Sequence, residues 1–230
     1  MTYAIDAPTL EAAIVRQCSP TLAGLKPAGL FTFPGPYTCQ DAEDAGDIQR
    51  RRQALLAIMD RCRTELAPAG VELRVLAWRS CGALVYVYRP HELVNYLADP
   101  RAFRRLRAMG YRPRNLEGSL RLLSARIVGS GGRGLTEAPQ DLARACPCSP
   151  DGCQREFPHE IGFFLGYPYE DVIGFIDNHG QNCLASGLWK VYGDVEAALA
   201  TFARYRRCTS ALQTAYQRSG RLSRLAVCTL

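Results

Sequence analysis

Two runs, 71–78 (VELRVLAW) and 83–89 (ALVYVYR), constrain the fold more than any other stretch. In the first, Val71, Leu73, Val75 and Ala77 alternate with Glu72, Arg74, Leu76 and Trp78. A period of two marks a strand with one buried face. Arg79–Gly82 between the runs closes a hairpin. A third extended run, 25–33, carries Pro27. Proline has no N–H to donate, so this strand belongs at an edge or is irregular.

Most of the remaining chain carries a helical period. Residues 8–17 predict a short helix, and 42–66 a long one with Ile48, Leu55, Leu56, Met59 and Cys62 recurring at threes and fours. Pro90 opens a helix, Asp99–Pro100 caps another that ends at Gly110, and 116–128 forms a third. Residues 183–192 read as a strand, with Lys190 and Tyr192 on one face and Trp189 and Val191 on the other. Asp194 caps a final long helix, which Gly220 stops. The expectation is a single α+β domain over 1–230: a small, largely antiparallel sheet flanked by many helices, with a loop insertion at 129–153.

The GSGGRG run at 129–134 matches the dinucleotide pattern G-x-G-x-x-G, but it follows a helical segment instead of a strand and is read as a loop. No apolar run approaches the roughly 20 residues that span a bilayer, so no membrane span is expected. The net charge of +6 is modest, and its arginines are spread along helices, as in 101–107 (RAFRRLR). No module combining a basic stripe with interleaved aromatics is evident, so nucleic acid is not an expected partner. The N-terminus has no basic segment leading into an apolar one, which points to the cytoplasm. There, ten cysteines imply reduced thiols, metal binding or redox chemistry rather than a disulfide framework.

The densest chemistry lies in Phe157–Gly180 (FPHEIGFFLGYPYEDVIGFIDNHG). Pro158 opens a helix over 159–165 that Gly166 stops in a left-handed cap, and Pro168 opens a second. His159, Gly162 and Gly166 share a face of the first helix. Glycines on one face admit a close neighbour, which is either another backbone or a ligand.

Lys26 and Lys190 are the only lysines among 28 basic residues. Where arginine serves as the general cation, a surviving lysine suits a role that needs a compact amine. Ser19–Pro20 reads as a helix cap and first turn, and Gly24 ends it. Free N–H groups there, with Lys26 just beyond, make a candidate anion site. Cys146, Cys148 and Cys153, with His159 six residues on, form a chemically sensible zinc set, although C-x-C-x4-C-x5-H is not a standard finger spacing.

Four blocks, CSPTLAGLKPAGLF (18–31), LVYVYRP (84–90), FPHEIGFFLGYPYEDVIGFI (157–176) and GLWKVYGD (187–194), resemble a bacterial family of unknown function common in anaerobic Firmicutes. The resemblance implies one full-length domain and a cytoplasmic setting, and it carries no activity to transfer. The loop at 129–153 lies outside the shared pattern, and both lysines lie inside it.

The leading functional reading is a small-molecule site, enzymatic or not. His159, Glu160 and Lys26 are its candidate catalytic residues: a proton shuttle, its partner and an anion-fixing or nucleophilic amine. Ser19, Gly162, Gly166, Lys190 and Tyr192 are candidate binding residues for a small anionic ligand. The alternatives are a non-enzymatic regulator, adaptor or scaffold, and a metal-binding protein built on the three cysteines.

Overall fold

The computed structural model describes residues 5–38, 45–130 and 157–228. In chain order the elements are α1 (Ala7–Leu22), β1 (Ala28–Pro34), α2 (Ala45–Leu66), β2 (Glu72–Trp78) and β3 (Gly82–Tyr88). There follow α3 (Pro90–Leu97), α4 (Pro100–Ala108), α5 (Leu116–Gly129), α6 (Ile161–Phe164) and α7 (Tyr169–Asp177). The two-residue strands β4 (Ala185–Ser186) and β5 (Lys190–Val191) precede α8 (Val195–Ser219). The class is α+β, and helix dominates. The chain forms two compact units: a sheet unit ending at Arg89 and resuming at Arg207, and a helical unit of Pro90–Arg206.

The sheet unit is built on the expected hairpin. β3 lies between β1 and β2, antiparallel to both, so β1 is an edge strand, as Pro27 suggested. Every residue of β3 is buried, as its continuous apolar run requires. One sheet face carries Phe31, Phe33, Leu73, Val85 and Val87 into a core with α1 and α2. Ile14, Cys18, Leu55, Met59 and Cys62 of those helices complete it.

The alternation in β2 does not persist to its end. The register with β3 shifts between Val75 and Ala77, leaving Leu76 as an extra residue. Beyond that bulge the facing inverts. Trp78 pairs with Ala83 and packs on the core, while Ala77 pairs with Leu84 on the other face.

A second departure concerns α1, which runs unbroken through Pro20. Ser19–Pro20 is therefore not a cap. Ser19 is buried mid-helix, and its hydroxyl donates to the Val15 carbonyl. The true N-cap is Asp6, whose carboxylate accepts from the Thr9 amide at 2.8 Å. Past its last residue, Leu22, the chain turns out of the helix at Gly24, which has φ +67°. There the Leu25 amide donates to the Pro20 carbonyl at 2.8 Å and the Gly24 amide to Thr21 at 3.2 Å. This six-to-one, five-to-two pattern is a Schellman stop.

The helical unit packs α3–α7, the β4–β5 hairpin and the start of α8 around Phe163, Phe164, Trp189 and Phe202, all buried. Residues 183–192 are thus a miniature hairpin, with Ala185 opposite Val191, and not one strand. Asp194 caps α8, accepting from the Ala197 amide at 3.0 Å, and Gly220 stops it at φ +59°.

Candidate ligand-binding site

A cavity of about 400 Å³ opens in the helical unit. Its lining comes from the Gly166–Pro168 corner, the first turn of α7, Trp189, Gly193 and one face of α8. Local sequence explains each wall. Gly166 takes φ +71° and lets the chain turn sharply after α6, with the Tyr167 amide donating to the Gly162 carbonyl at 3.0 Å. Pro168 then stands at the N-cap position of α7, without a capping hydrogen bond, and Glu170 and Asp171 fall in the first turn.

Asp171 holds this site together. It is 4% exposed. Its carboxylate accepts from Trp189 Nε1 at 2.7 Å and from the amides of Tyr192 and Gly193 at 2.7 and 2.9 Å. Three donors on one carboxylate offset the cost of burying it. They also strap the 187–194 block to α7. Trp189 is held between Tyr167, stacked at 4.9 Å, and Phe202, edge-on at 4.5 Å. Glu170 is ion-paired with Arg101, whose guanidinium lies over the Tyr169 ring. Backbone hydrogen bonding and Arg101 hold the Glu170 carboxyl below its ordinary range. Arg204 on α8 is the one basic residue in the groove's lining.

Several residues singled out in the sequence meet beside this groove, around Phe175. The His159 ring centroid lies 4.8 Å from that of Phe175, and the Tyr192 ring 6.5 Å from it, edge-on. Lys190 Nζ sits 5.6 Å from the same centroid and donates to the Gly180 carbonyl at 2.6 Å. A small cation over a ring face, anchored where α7 has just ended, is a structural use of a compact amine.

Glu160 is 7% exposed and is bound to Tyr111 and Arg126. Burial first, and Glu160 second, push the Tyr111 hydroxyl well above its ordinary value. Gly162 is a packing position, because a Cβ there would stand 2.8 Å from Val172 Cγ2. The first helix of the stretch is also shorter than 159–165: residues 159–160 form a turn, and α6 starts at Ile161.

Lys26 and Ser19 belong to the sheet unit. The segment before Lys26 is a helix C-terminus, so its unfilled groups are carbonyls rather than N–H donors. Arg89 fills them. It is 1% exposed and donates from Nε to Thr21 O at 2.6 Å and from Nη2 to Leu22 O at 2.7 Å. It also reaches Ala69 O and Val227 O, each at 2.8 Å. The anion site inferred at Ser19–Pro20 therefore lacks its expected N–H groups. Lys26 itself is desolvated, which lowers its amine to about 8, while the thiol of buried Cys18 is pushed up to about 12.

Cys146, Cys148 and Cys153 lie outside the described residues, as does most of the 129–153 loop. Among the described residues no group of three His, Cys, Asp or Glu is placed to hold a metal. Nor is any described helix long and apolar enough to cross a membrane. Asp171, Trp189, Arg204 and Arg89 carry much of the geometry, and sequence reasoning did not select them. Asp171 registered only as a first-turn carboxylate, because its donors lie 18 and more residues away.

No curated protein and no solved structure matches the chain. The model of a family described as "Protein of unknown function (DUF3793)" matches residues 14–226, spanning all four resembling blocks entirely. The chain belongs to that family.

Proposed function

We propose that the helical unit binds a small organic cation or zwitterion with a flat apolar body in the groove between α7 and α8. The observation that carries this is the cavity of about 400 Å³, within the roughly 300–1,000 Å³ of small-molecule sites. Three acidic residues, Glu170, Asp171 and Asp194, outnumber the two arginines at the groove, Arg204 in its lining and Arg101 paired with Glu170, and Trp189 and Tyr205 add apolar surface. That balance favours a ligand bearing positive charge. The carboxylates are already engaged: Glu170 by Arg101, Asp171 by three N–H groups and Asp194 by the Ala197 amide. Such groups suit holding charge better than moving protons, so the reading is a binding protein, a sensor or carrier. It differs in ligand charge from the anion expected near Lys26. We also infer a bacterial cytoplasmic setting. It is supported by the family resemblance and by the six described cysteines, all free thiols.

Calorimetric titration with 2-phenylethylamine and with 3-phenylpropionate tests the reading, because the two share a ring and differ in charge. The amine is expected to bind at least tenfold tighter, and Thr201→Trp, which fills the groove, to abolish its binding. Equal or tighter binding of the acid, or undiminished binding by the filled variant, contradicts the proposal.

A further inference from the structure

Arginine is distributed unevenly over this molecule. From Pro100 to Leu116 the chain has six arginines and no acidic residue. On α2, by contrast, Arg50 pairs with Asp47 and Arg63 with Asp60. α4 buries Ala102 and Leu106 against its own unit, which turns Arg101, Arg104 and Arg107 outward. After α4 the chain reverses at Gly110, φ +87°, and presents Arg112 and Arg114, both exposed. Arg114 folds back, its guanidinium carbon 5.8 Å from the Phe103 ring centroid. Arg104 Nε donates to the Pro100 carbonyl at 3.1 Å, which fixes its course along the helix. Arg101 is occupied by Glu170. Asp99, at the start of α4, feels the charge of Arg104, but among the described residues no carboxylate forms a close ion pair with Arg104, Arg107, Arg112 or Arg114.

Against the sequence expectation of no nucleic-acid partner, which saw these arginines only as scattered along helices, we propose that Arg104, Arg107, Arg112 and Arg114, gathered on one face by the turn at Gly110, form a docking surface for the phosphodiester backbone of a nucleic acid. Guanidinium groups bind phosphate oxygens with two parallel N–H donors, and an exposed one-signed face is complementary to a polyanion. An anionic membrane is the poorer fit. A helix lying on a bilayer inserts its apolar side, and α4 has already buried Ala102 and Leu106, at 2% and 0% exposure. The surface requires no base contact, so recognition is of backbone charge and not of sequence.

Fluorescence anisotropy with a labelled 20-base-pair DNA duplex and a 20-nucleotide RNA, from 50 to 200 mM salt, tests this. Four neutralised phosphates give a slope of log K against log salt of about −3.6 for duplex, or about a hundredfold loss of affinity over that range. Each single Arg→Gln replacement at the four positions is expected to reduce the slope by about 0.9. The fourfold variant is expected to lose binding while its circular dichroism and thermal unfolding stay unchanged. Arg50→Gln with Arg61→Gln, on exposed positions of α2, is expected to leave binding intact. The inference is overturned by any of three results: no binding to either nucleic acid at 50 mM salt, equal loss with the α2 pair, or binding only to phosphatidylserine vesicles.

Discussion

Arg89 shows how one side chain can close several open ends of a backbone. Its guanidinium takes up carbonyls from the end of α1, from Ala69 and from the C-terminal segment at Val227. A cation at a helix C-terminus is favourable, and a buried one is tolerated only when its donors are used. Arg89→Met leaves these carbonyls without their donor and is expected to lower the unfolding free energy by about 3 kcal/mol or more. Arg89→Lys, with three donors and no planar fork, should recover part of that, as read from urea midpoints. Lys26 offers a test by pH. Burial sets its folded pKa at about 8 against an ordinary 10.5. Between those values the unfolded chain holds the proton and the folded chain does not, so stability due to this group rises with pH across the window. Below about 8 both states are protonated and the full penalty is present. Wild-type unfolding free energy should therefore gain on that of Lys26→Met from pH 8 to 10.5. A flat difference would mean that the amine is solvated.

The elements divide into those governed by local pattern and those governed by contacts between distant segments. The hairpin, α2, α5 and α8 were legible because period, cap and stop residues agree locally: Asn115 caps α5 through the Gly118 amide at 2.9 Å, and Asp194 caps α8. α1 outruns the short helix that 8–17 predicts, because Ser19–Pro20 has the form of a cap and first turn and proline normally ends or kinks a helix. Here Leu22, Cys18 and Ile14, all at or below 1% exposure, bury enough surface to carry the helix through it. The bulge at Leu76 left no mark in the sequence, since Val75, Leu76 and Ala77 are all apolar. The close approach expected of Gly162 is real, but the neighbour is Val172. Gly174 is tighter still: a Cβ there would lie 2.3 Å from Tyr192 Cβ. Gly174→Ala is expected to cost about 1–3 kcal/mol through displacement of the 187–194 block, despite alanine's better helix propensity. Gly46→Ala, in open space on α2, should instead gain up to about 1 kcal/mol. Thermal unfolding of the two variants in opposite directions would confirm that the first glycine serves packing.

At the scale of the whole chain, one family spans both compact units, while the chemistry first grouped by sequence is divided between them. His159, Lys190 and Tyr192 gather around Phe175 in the helical unit, and Lys26 with Cys18 belongs to the sheet unit. The site itself was half visible. Gly166 and the two blocks that line the groove were chosen from the sequence, but Asp171, Trp189 and Arg204 became functional candidates only once α7, the hairpin and α8 were folded together. The arginine face shows the same limit, because Arg112 and Arg114 join the α4 row only through the turn at Gly110. The central claim is that the groove over Trp189 receives a positively charged small molecule. Its most direct test is Trp189 emission, recorded in a Trp78→Phe background where it is the single indole, during titration with 2-phenylethylamine. The account requires a saturable spectral shift that weakens about tenfold or more in Glu170→Gln; an emission spectrum unmoved by the amine, or a shift indifferent to Glu170, would contradict it.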